Sequence, residues 1–351
     1  MEKKIERHFQ AADSGSTDDR AISKEPRMKM AILGAGQIAH KMAATITKME
    51  TVEAYAVAAR DEKRAQDFRA QYGFTKAYGS YEEMLSDEEV DLVYIATPHS
   101  HHYAHIKMCL EHHKHVLCEK SFTVNARQAR EVLKMAEEKG LLLTEAIWTR
   151  YMPSRKMLND IIDSGVIGTV TSLTGNLGYA LGNVTRMVEP SLAGGALLDV
   201  GVYMVNFAMM VFGNKISKVT SSAVMSKKGV DYTDSITMIF ENGEMAVMHS
   251  SMLGALNRRA NIFGDKGYIE ITNANNIEKI KVFDENYKEV AAYTPPEQIT
   301  GYEYEVEACR RAIKAGNTQC SEMPHEETIR VLEIMDEMRR SWGYEIPGEN
   351  L

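Results

Sequence analysis

The chain has 351 residues, of which 44% are hydrophobic and 26% are charged. This length exceeds what one hydrophobic core usually serves, so two domains are expected, and the apolar content excludes extensive disorder. A formal net charge of −8 provides no basic field for phosphate backbones, which disfavours nucleic acid and anionic membrane surfaces as partners and leaves only a local basic site open.

Residues 1–27 are polar and of mixed charge, and they precede the first strand pattern. Such a segment adds no apolar surface to a core, so a flexible extension without an assigned function is predicted. The first four residues lack the apolar stretch of a signal peptide, and the chain has no uninterrupted apolar run long enough to span a bilayer. A soluble protein is therefore expected.

From residue 28 onward, short apolar runs alternate with helical periodicity. Strands are predicted at 30–33, 52–59, 90–96, 115–118 and 141–146, and helices at 38–48, 62–72, 81–86, 103–112 and 126–139. This βαβ alternation builds a parallel, doubly wound sheet. We predict an α/β protein whose first domain, residues 28–148, is a Rossmann domain.

The second half of the sequence is rich in strand patterns. After a helix at 153–164, strands are predicted at 170–175, 219–226, 235–240, 244–252 and 259–263, with helices at 197–212, 302–315 and 326–340. Short turns between the strands indicate antiparallel pairing with helices on one face. Residues 149–351 are therefore predicted to form an α+β domain with a large, mostly antiparallel, open sheet.

A glycine turn joins the first predicted strand to the first predicted helix, with the sequence Gly34-Ala-Gly36-Gln37-Ile38-Ala39. In this context the GxGxxA pattern is typical of dinucleotide binding. Gly34 permits the tight turn, Gly36 lets backbone amides approach a pyrophosphate, and Ala39 allows close packing of helix on strand. The alternative is a tight turn without a ligand.

The cofactor preference is inferred from the residues after the second predicted strand. An NAD enzyme usually offers Asp or Glu there to the ribose 2′-hydroxyl, whereas this chain has Arg60 followed by Asp61. A guanidinium pairs with a 2′-phosphate and stacks on adenine, while Asp61 suits the N-cap of the next helix. The pattern favours NADP and leaves NAD open.

Further candidate cofactor contacts follow other strands, at the edge where doubly wound sheets bind ligands. Thr97 and Pro98 follow one strand, and Glu119 and Lys120 follow another. We expect Thr97, Pro98 and Glu119 near the nicotinamide ribose and the pyrophosphate. Pro98 also suits the end of a strand, and Lys120 also suits a solvated position.

Four cysteines occur without a CxxC pair, which indicates reduced thiols and a cytoplasmic protein. Seven histidines fall between residues 99 and 115, and the pair His101 and His105 is spaced to share one helical face. Because no Cys or carboxylate completes this set at ligand spacing, no metal is predicted.

Several strings, taken together, resemble the Gfo/Idh/MocA oxidoreductase family over residues 28 to about 340. Within that family the chain is most similar to the branch of dimeric dihydrodiol dehydrogenase and NADP-dependent D-xylose dehydrogenase. The strings are Tyr55-Ala-Val-Ala-Ala-Arg-Asp61, Lys76-Ala-Tyr-Gly-Ser-Tyr-Glu-Glu83, Val116-Leu-Cys-Glu-Lys120, Glu145-Ala-Ile-Trp-Thr-Arg150 and Gly194-Gly-Ala-Leu-Leu-Asp-Val-Gly-Val-Tyr203.

The resemblance implies a hydride-transfer site between the domains, with Lys120 and Tyr203 handling the proton and His102 near the cofactor. It also implies a homodimer or higher oligomer that pairs through the open sheets of the second domains. Ser121 follows Lys120 where the family has proline, so the backbone geometry beside the lysine is open. Tyr203 stands where many sugar-active members have histidine, which is the pattern of the dihydrodiol branch.

Oxidation of an alcohol needs a base for the hydroxyl proton, and the reverse reaction needs an acid. Tyr203 suits this role if the ammonium group of Lys120 lowers its pKa from the usual value near 10. Asp199 lies four residues earlier on the predicted helix, so both side chains share a face and the carboxylate would bind a substrate hydroxyl or orient Lys120. Spacing alone favours a core position for Tyr203.

Trp148 and Arg150 fall where the two predicted domains meet. Two interpretations are open for both residues: an aromatic wall and a guanidinium that contact a polyol, or side chains that pack the hinge.

The leading hypothesis is an NADP-favouring oxidoreductase acting on a hydroxyl or carbonyl carbon of a small sugar, polyol or vicinal diol. The alternatives are an NAD-dependent sugar-ring dehydrogenase and a non-catalytic NAD(P)-binding sensor or co-regulator, since fold alone does not prove activity.

Overall fold

The computed structural model describes residues 26–349, so the extension predicted for residues 1–27 lies almost wholly outside the described residues. The first sheet has six parallel strands in the order β3-β2-β1-β4-β5-β6. The order reverses between β1 and β4, which is the point where such sheets bind dinucleotides. The strands are β1 Met28–Leu33, β2 Val52–Ala58, β3 Lys76–Tyr78, β4 Leu92–Ile95, β5 His115–Glu119 and β6 Leu143–Ala146.

Helices cover both faces of this sheet, and its central strands are accordingly apolar on both sides. The helices of this part are α1 Gln37–Ile46, α2 Glu62–Tyr72, α3 Tyr81–Leu85, α4 His99–Glu111 and α5 Ala126–Lys139. Local signals set the ends of α2 and α5: the side chains of Asp61 and Asn125 cap the first turns, and Gly73 and Gly140 close the helices in left-handed conformation.

The second sheet has eight strands in the order β14-β13-β12-β11-β7-β10-β9-β8. All neighbouring pairs are antiparallel except β7 and β10. The strands are β7 Val170–Gly178, β8 Ile216–Met225, β9 Asp231–Phe240, β10 Met245–Ser251, β11 Ala260–Gly264, β12 Gly267–Thr272, β13 Lys279–Asp284 and β14 Glu289–Tyr293. Together the two sheets confirm the predicted fold class.

One face of the second sheet packs on helices and the other is open. A π-helical turn, Leu197–Gly201, leads directly into the buried helix α8, Val202–Phe212, and both pack against β7 and β10. The other helices are α6 Pro153–Asp163, α7 Thr185–Val188, α9 Glu303–Lys314 and α10 His325–Trp342, with short 3₁₀ turns at Trp148–Arg150 and Pro190–Leu192.

The last two helices return to the first sheet. Tyr302 and, in α9, Val306 and Cys309 share a buried core with β1, α1 and α2, and α10 packs against α5 and β8. The chain after the second sheet therefore completes the packing around the first sheet.

Pro190–Phe212 is the one segment within residues 26–349 that is long and apolar enough to be considered as a membrane span, and most of it is buried inside the protein. A buried apolar helix of this kind is the pattern of a core helix.

Candidate active site

The glycine turn after β1 is shaped for a close approach of ligand to backbone. Gly34 has a φ of +101°, and a Cβ atom there would lie 3.0 Å from Thr97 Cγ2. Gly36 precedes α1 without a side-chain cap, so the first amides of this helix keep their hydrogens for an anion. Ala39 is fully buried. The turn therefore fits a dinucleotide pyrophosphate, and Gln37 and Ile38 lie in the first turn beside it.

Two arginines follow β2, Arg60 in the turn after the strand and Arg64 in the first turn of α2. Arg60 is exposed and has no ion pair with any residue between 26 and 349, while Asp61 is engaged as the cap of α2 by accepting the Arg64 amide at 2.8 Å. Arg64 donates its guanidinium to the Ala35 carbonyl inside the glycine turn. Burial raises the pKa of Tyr81 and both arginines oppose this shift, so their charges converge on one region. The sequence analysis did not identify Arg64. Its position in the first turn of the helix after β2 could have indicated that it lies near the glycine turn.

His102 connects the ends of two neighbouring strands. Its ring nitrogens contact the Thr97 carbonyl at 2.8 Å and the Ser121 carbonyl at 2.9 Å. Burial lowers the pKa of His102 to about 4 although both carbonyls act against this shift. A neutral imidazole has one N–H and can donate to only one of these carbonyls, so His102 bridges the loops after β4 and β5 by one hydrogen bond and one close contact.

Glu119 ends β5 as a buried carboxyl group. Tyr94 donates its hydroxyl to Glu119 Oε1, and the Lys120 amide donates to Oε2 at 3.2 Å. Burial raises the pKa of Glu119 above its usual value. Pro98 directly precedes α4 at the end of β4, so Thr97, Pro98, Glu119 and Lys120 all lie at the carboxyl edge of the sheet, as predicted.

The central contact of the site joins Lys120 to Asp199. Lys120 Nζ donates to the Asp199 carbonyl at 2.7 Å and to Asp199 Oδ1 at 2.9 Å. The same ammonium lies 5.2 Å from the centroid of the Tyr203 ring. Beside it, the Lys120–Ser121 peptide is cis and Ser121 Oγ donates to the Leu198 carbonyl at 2.7 Å. The structure thus brings together the three side chains that were assigned to catalysis.

Asp199 receives two further neighbours that sequence reasoning did not find. Arg186 Nη1 donates to Asp199 Oδ1 at 2.8 Å, and His99 Nε2 lies 3.8 Å from the same oxygen. Burial alone would raise the pKa of Asp199, but Lys120 and Arg186, followed by His99, hold it well below the usual range. Burial also lowers the pKa of His99 to about 3, so the imidazole is neutral.

Tyr203 corrects one expectation. Its pKa is raised well above 10, first by burial and then by Tyr302, Glu119 and Asp199, whereas a lowered value was predicted beside Lys120. Lys120 faces the ring and directs its hydrogen bonds to Asp199, so it does not compensate for the burial. The ring of Tyr203 packs against both large cores, and its hydroxyl remains protonated. At neutral pH this hydroxyl is a proton donor.

The helix that carries Asp199 and Tyr203 also differs in detail from the prediction. An unbroken α-helix was predicted from residue 197, but Asp199 belongs to the π-helical turn and Tyr203 to the first turn of α8. Single π-turns inside helices frequently occur at functional sites. Both side chains still reach Lys120, as the i,i+4 spacing indicated.

Trp148 and Arg150 have different surroundings. Trp148 stacks on Tyr302 with ring centroids 4.5 Å apart, and Tyr302 lies near Tyr203. Arg150 is buried and donates to Asn206 at 2.6 Å and to Glu327 at 3.0 Å. The geometry agrees with an aromatic wall at Trp148, and of the two interpretations left open for Arg150 it favours packing, here between helices, over contact with a substrate.

The histidines between residues 99 and 115 do not form a metal centre in this structure. Within residues 26–349, no group of three or more His, Cys, Asp or Glu side chains is arranged to hold a metal ion.

The chain matches two family models. Residues 28–147 match the model described as the oxidoreductase family with NAD-binding Rossmann fold, and residues 156–270 match that of the GFO/IDH/MocA C-terminal domain. The chain is also 32% identical over 330 residues to trans-1,2-dihydrobenzene-1,2-diol dehydrogenase of Danio rerio, covering 90% of this chain and 97% of that protein. The enzyme of that name from Homo sapiens is 32% identical over 330 residues, with 92% and 99% covered.

Solved structures share this fold at lower identity. KijD10, a 3-ketoreductase from Actinomadura kijaniata in complex with NADP and TDP-benzene, superposes with a TM-score of 0.83 at 22% identity, covering 90% of this chain and 98% of that one. The aldose-aldose oxidoreductase from Caulobacter crescentus, complexed with glycerol, gives 0.82 at 20% identity, covering 91% and 98%. With the matched models and the 32% identical relatives, the chain belongs to the Gfo/Idh/MocA oxidoreductase family and is an NAD(P)-binding oxidoreductase.

Proposed function

We propose that the protein is an NADP-dependent oxidoreductase that interconverts a hydroxyl and a carbonyl on a small polyhydroxylated substrate, a vicinal diol or a sugar. The observation that carries the proposal is the cluster of Lys120, Asp199 and Tyr203 at the carboxyl edge of the first sheet, beside the glycine turn. The names of the 32% identical relatives support a diol, and those of the solved structures support a sugar.

The proton chemistry follows from the state of Tyr203. When bound, the dinucleotide supplies or accepts the hydride. Because the pKa of Tyr203 is raised, the neutral phenol dominates at neutral pH and suits a general acid that protonates a carbonyl oxygen. The Lys120 ammonium, 5.2 Å from the ring centroid, would stabilise the phenolate left behind. For carbonyl reduction, the resting phenol is therefore already in the protonation state that the step requires.

The preference for NADP is supported by charge at the end of β2. Arg60 is exposed, and Arg64 reaches the glycine turn. Asp61, the carboxylate that would otherwise receive the ribose 2′-hydroxyl, is already engaged as a helix cap. Two guanidinium groups suit a 2′-phosphate better than a free ribose.

A homodimer and a cytoplasmic location complete the proposal. The open face of the second sheet carries a row of apolar side chains that is interrupted at β7 by Ser172; its members are Ile239, Met245, Val247, Phe263, Tyr268 and Phe283. Met245 and Val247 are 40% and 44% exposed, and the rings of Tyr268 and Phe283 stack at 4.6 Å. A second copy of this face would cover it. The four free, buried cysteines suit a reducing compartment.

The test is turnover under defined conditions. Purified protein would be assayed for NADPH and NADH oxidation with dicarbonyls and keto-sugars, and for NADP reduction with diols and aldoses, after fluorescence titration of both reduced cofactors. NADPH-dependent turnover of a carbonyl supports the proposal. Cofactor binding without turnover of any of these substrates would overturn the substrate class, and tighter binding of NADH would overturn the NADP preference.

A further inference from the structure

Asp199 is a buried carboxylate shared by two cations from different parts of the chain. The side chains of Asp199, Lys120 and Arg186 are 7%, 13% and 43% exposed. Oδ1 accepts from both Lys120 and Arg186, whereas Oδ2 accepts only from Arg186 Nη2, at 3.4 Å, among the residues that the structure describes. Arg186 therefore fixes the carboxylate on the side that Lys120 does not reach.

The loop that carries Arg186 is locked onto the glycine pair before the π-helical turn. The Gly195 amide donates to the Met187 carbonyl at 2.9 Å. A Cβ atom at Gly194 would lie 2.5 Å from the same carbonyl oxygen. This packing places α7 over the start of the turn, and the guanidinium of Arg186 consequently reaches Asp199 from the half-exposed side of the site.

The groups that face Asp199 come from four elements. Lys120 and Glu119 lie at the end of β5, His99 at the start of α4, Arg186 in α7 and Tyr203 in α8. Glu119 and Tyr203 are held towards their neutral forms by burial, and burial also keeps His99 neutral. The charges that act on Asp199 are therefore those of Lys120 and Arg186.

We infer that Arg186 is a positioning residue: it holds the Asp199 carboxylate ionised and oriented so that Lys120 keeps a fixed place beside Tyr203 and a free N–H for the substrate oxygen. An ammonium has three hydrogens, and Asp199 takes two of them through its carbonyl and its carboxylate. Without Arg186 the Asp199 carboxylate would be free to rotate beside Lys120. The third N–H of the Lys120 ammonium would then no longer point towards the substrate oxygen. This inference rests on the proposed function.

The test compares Arg186→Met, which removes the charge, with Arg186→Lys, which keeps a charge and a single donor. Arg186→Met should lower kcat/KM by about tenfold or more, Arg186→Lys should recover part of the loss, and both should bind NADPH within about twofold of the wild type. The matched control is Arg311→Met, which breaks a half-exposed pair with Glu322 away from the site. An equal fall in the control, or no fall in Arg186→Met, would overturn the inference.

The pH profile separates a positioning role from a general loss of structure. In the wild type Asp199 stays ionised wherever the protein is folded, so it does not set the acid limb of kcat/KM. Removing a positive neighbour raises the pKa of a carboxyl group, so Arg186→Met should gain an acid limb that the wild type lacks. In a protein that already carries Asp199→Asn, adding Arg186→Met should lower kcat/KM by less than about twofold, because the carboxylate that Arg186 holds is absent. Independent, multiplying losses would mean that Arg186 acts directly on the substrate, which contradicts the positioning role.

A measurement without turnover keeps this inference distinguishable from the proposed function. In protein labelled with ¹³C at aspartate carboxyls, the Asp199 signal, identified by its loss in Asp199→Asn, should remain unprotonated down to the lowest pH at which the protein is folded. In Arg186→Met it should titrate at a higher pH. A wild type that turns over no substrate would refute the proposed function and leave this result intact, whereas an unchanged titration in Arg186→Met would refute the inference itself.

Discussion

Lys120 Nζ lies 2.9 Å from Asp199 Oδ1 although the two residues are 79 positions apart in the chain. Lys120 directly follows β5 of the first sheet, and Asp199 lies in the turn that packs on the second sheet. This ion pair therefore links the cofactor-binding sheet to the element that carries Tyr203. A displacement of one sheet relative to the other would change the distance between these two side chains.

Replacing Tyr203 with phenylalanine removes the proposed acid while keeping the ring beside Lys120. We expect kcat to fall by about 10²-fold or more, the usual contribution of a general acid, with little change in the Kd for NADPH. Steady-state kinetics and fluorescence titration check this. Tyr287→Phe, at an 81% exposed tyrosine, is the control. Full activity in Tyr203→Phe would exclude the assigned role.

Arg60→Ala and Arg64→Ala should each weaken NADPH binding by about tenfold, because each removes a guanidinium proposed to pair with the 2′-phosphate. NADH affinity should stay the same in both variants. Arg69→Ala, at the far end of α2 where the side chain contacts the Thr75 carbonyl, serves as the control. Equal weakening of NADH and NADPH would instead indicate damage to the glycine turn.

Gly34→Ala tests the close approach of backbone to cofactor. Both Gly34 and Gly73 have positive φ, +101° and +73°, so alanine costs conformational energy at either site. Only at Gly34 does the added methyl meet a neighbour, Thr97 Cγ2 at 3.0 Å, beside the proposed pyrophosphate site. We expect Gly34→Ala to lose measurable NADPH binding in the titration, while Gly73→Ala should lose stability alone. Equal affinities in the two variants would contradict the assignment.

Glu145 predicts a pH dependence of stability. Burial raises the pKa of Glu145 to about 7 in the folded protein, against 4.5 for a free group. The folded state thus binds this proton more tightly, so its contribution favours folding below pH 4.5 and is lost as the pH rises to 7. The free energy of unfolding of Glu145→Gln, measured relative to that of the wild type, should therefore rise by on the order of 3 kcal/mol between pH 5 and pH 8. Urea unfolding at both pH values checks this; an unchanged difference would rule it out.

The proposed dimer face predicts a change of oligomeric state. Val247 is 44% exposed at the centre of β10, so a glutamate there would place an unpaired charge inside the interface. Val247→Glu should yield monomers in light-scattering chromatography, whereas Glu337→Lys, on the outer side of α10, should not. A wild type that is already monomeric would refute this part of the proposal.

The parts of the fold that local signals encode were predictable. The helices at 62–72 and 126–139 were predicted with the observed bounds because Asp61 and Asn125 cap them and glycines close them. The helix at residue 99 was placed too late, since its first turn is made of histidines rather than an apolar stripe. Strand β3, with three residues, and strands β12, β13 and β14 were missed because their short, polar-flanked patterns depend on pairing with neighbours.

The candidate site was predictable where the chain carries a motif and unpredictable where contacts are made only in space. Lys120 and Tyr203 were found through the family resemblance and Asp199 through its spacing from Tyr203, and the structure brings the three together. Arg186 belongs to no motif and meets Asp199 through a loop packed on Gly194 and Gly195. The pKa of Tyr203 was misjudged because burial by two cores is not visible in a local pattern.

The π-helical turn sets the angle about the helix axis between Asp199 and Tyr203, and the chemistry depends on that angle. Each residue advances an α-helix by about 100°, so deleting Val200 or Gly201, which lie between Asp199 and α8, would turn Asp199 away from Lys120 while leaving Tyr203 and the rest of α8 in place. The length of this five-residue turn, as much as the identity of its side chains, therefore constrains which sequences retain the site.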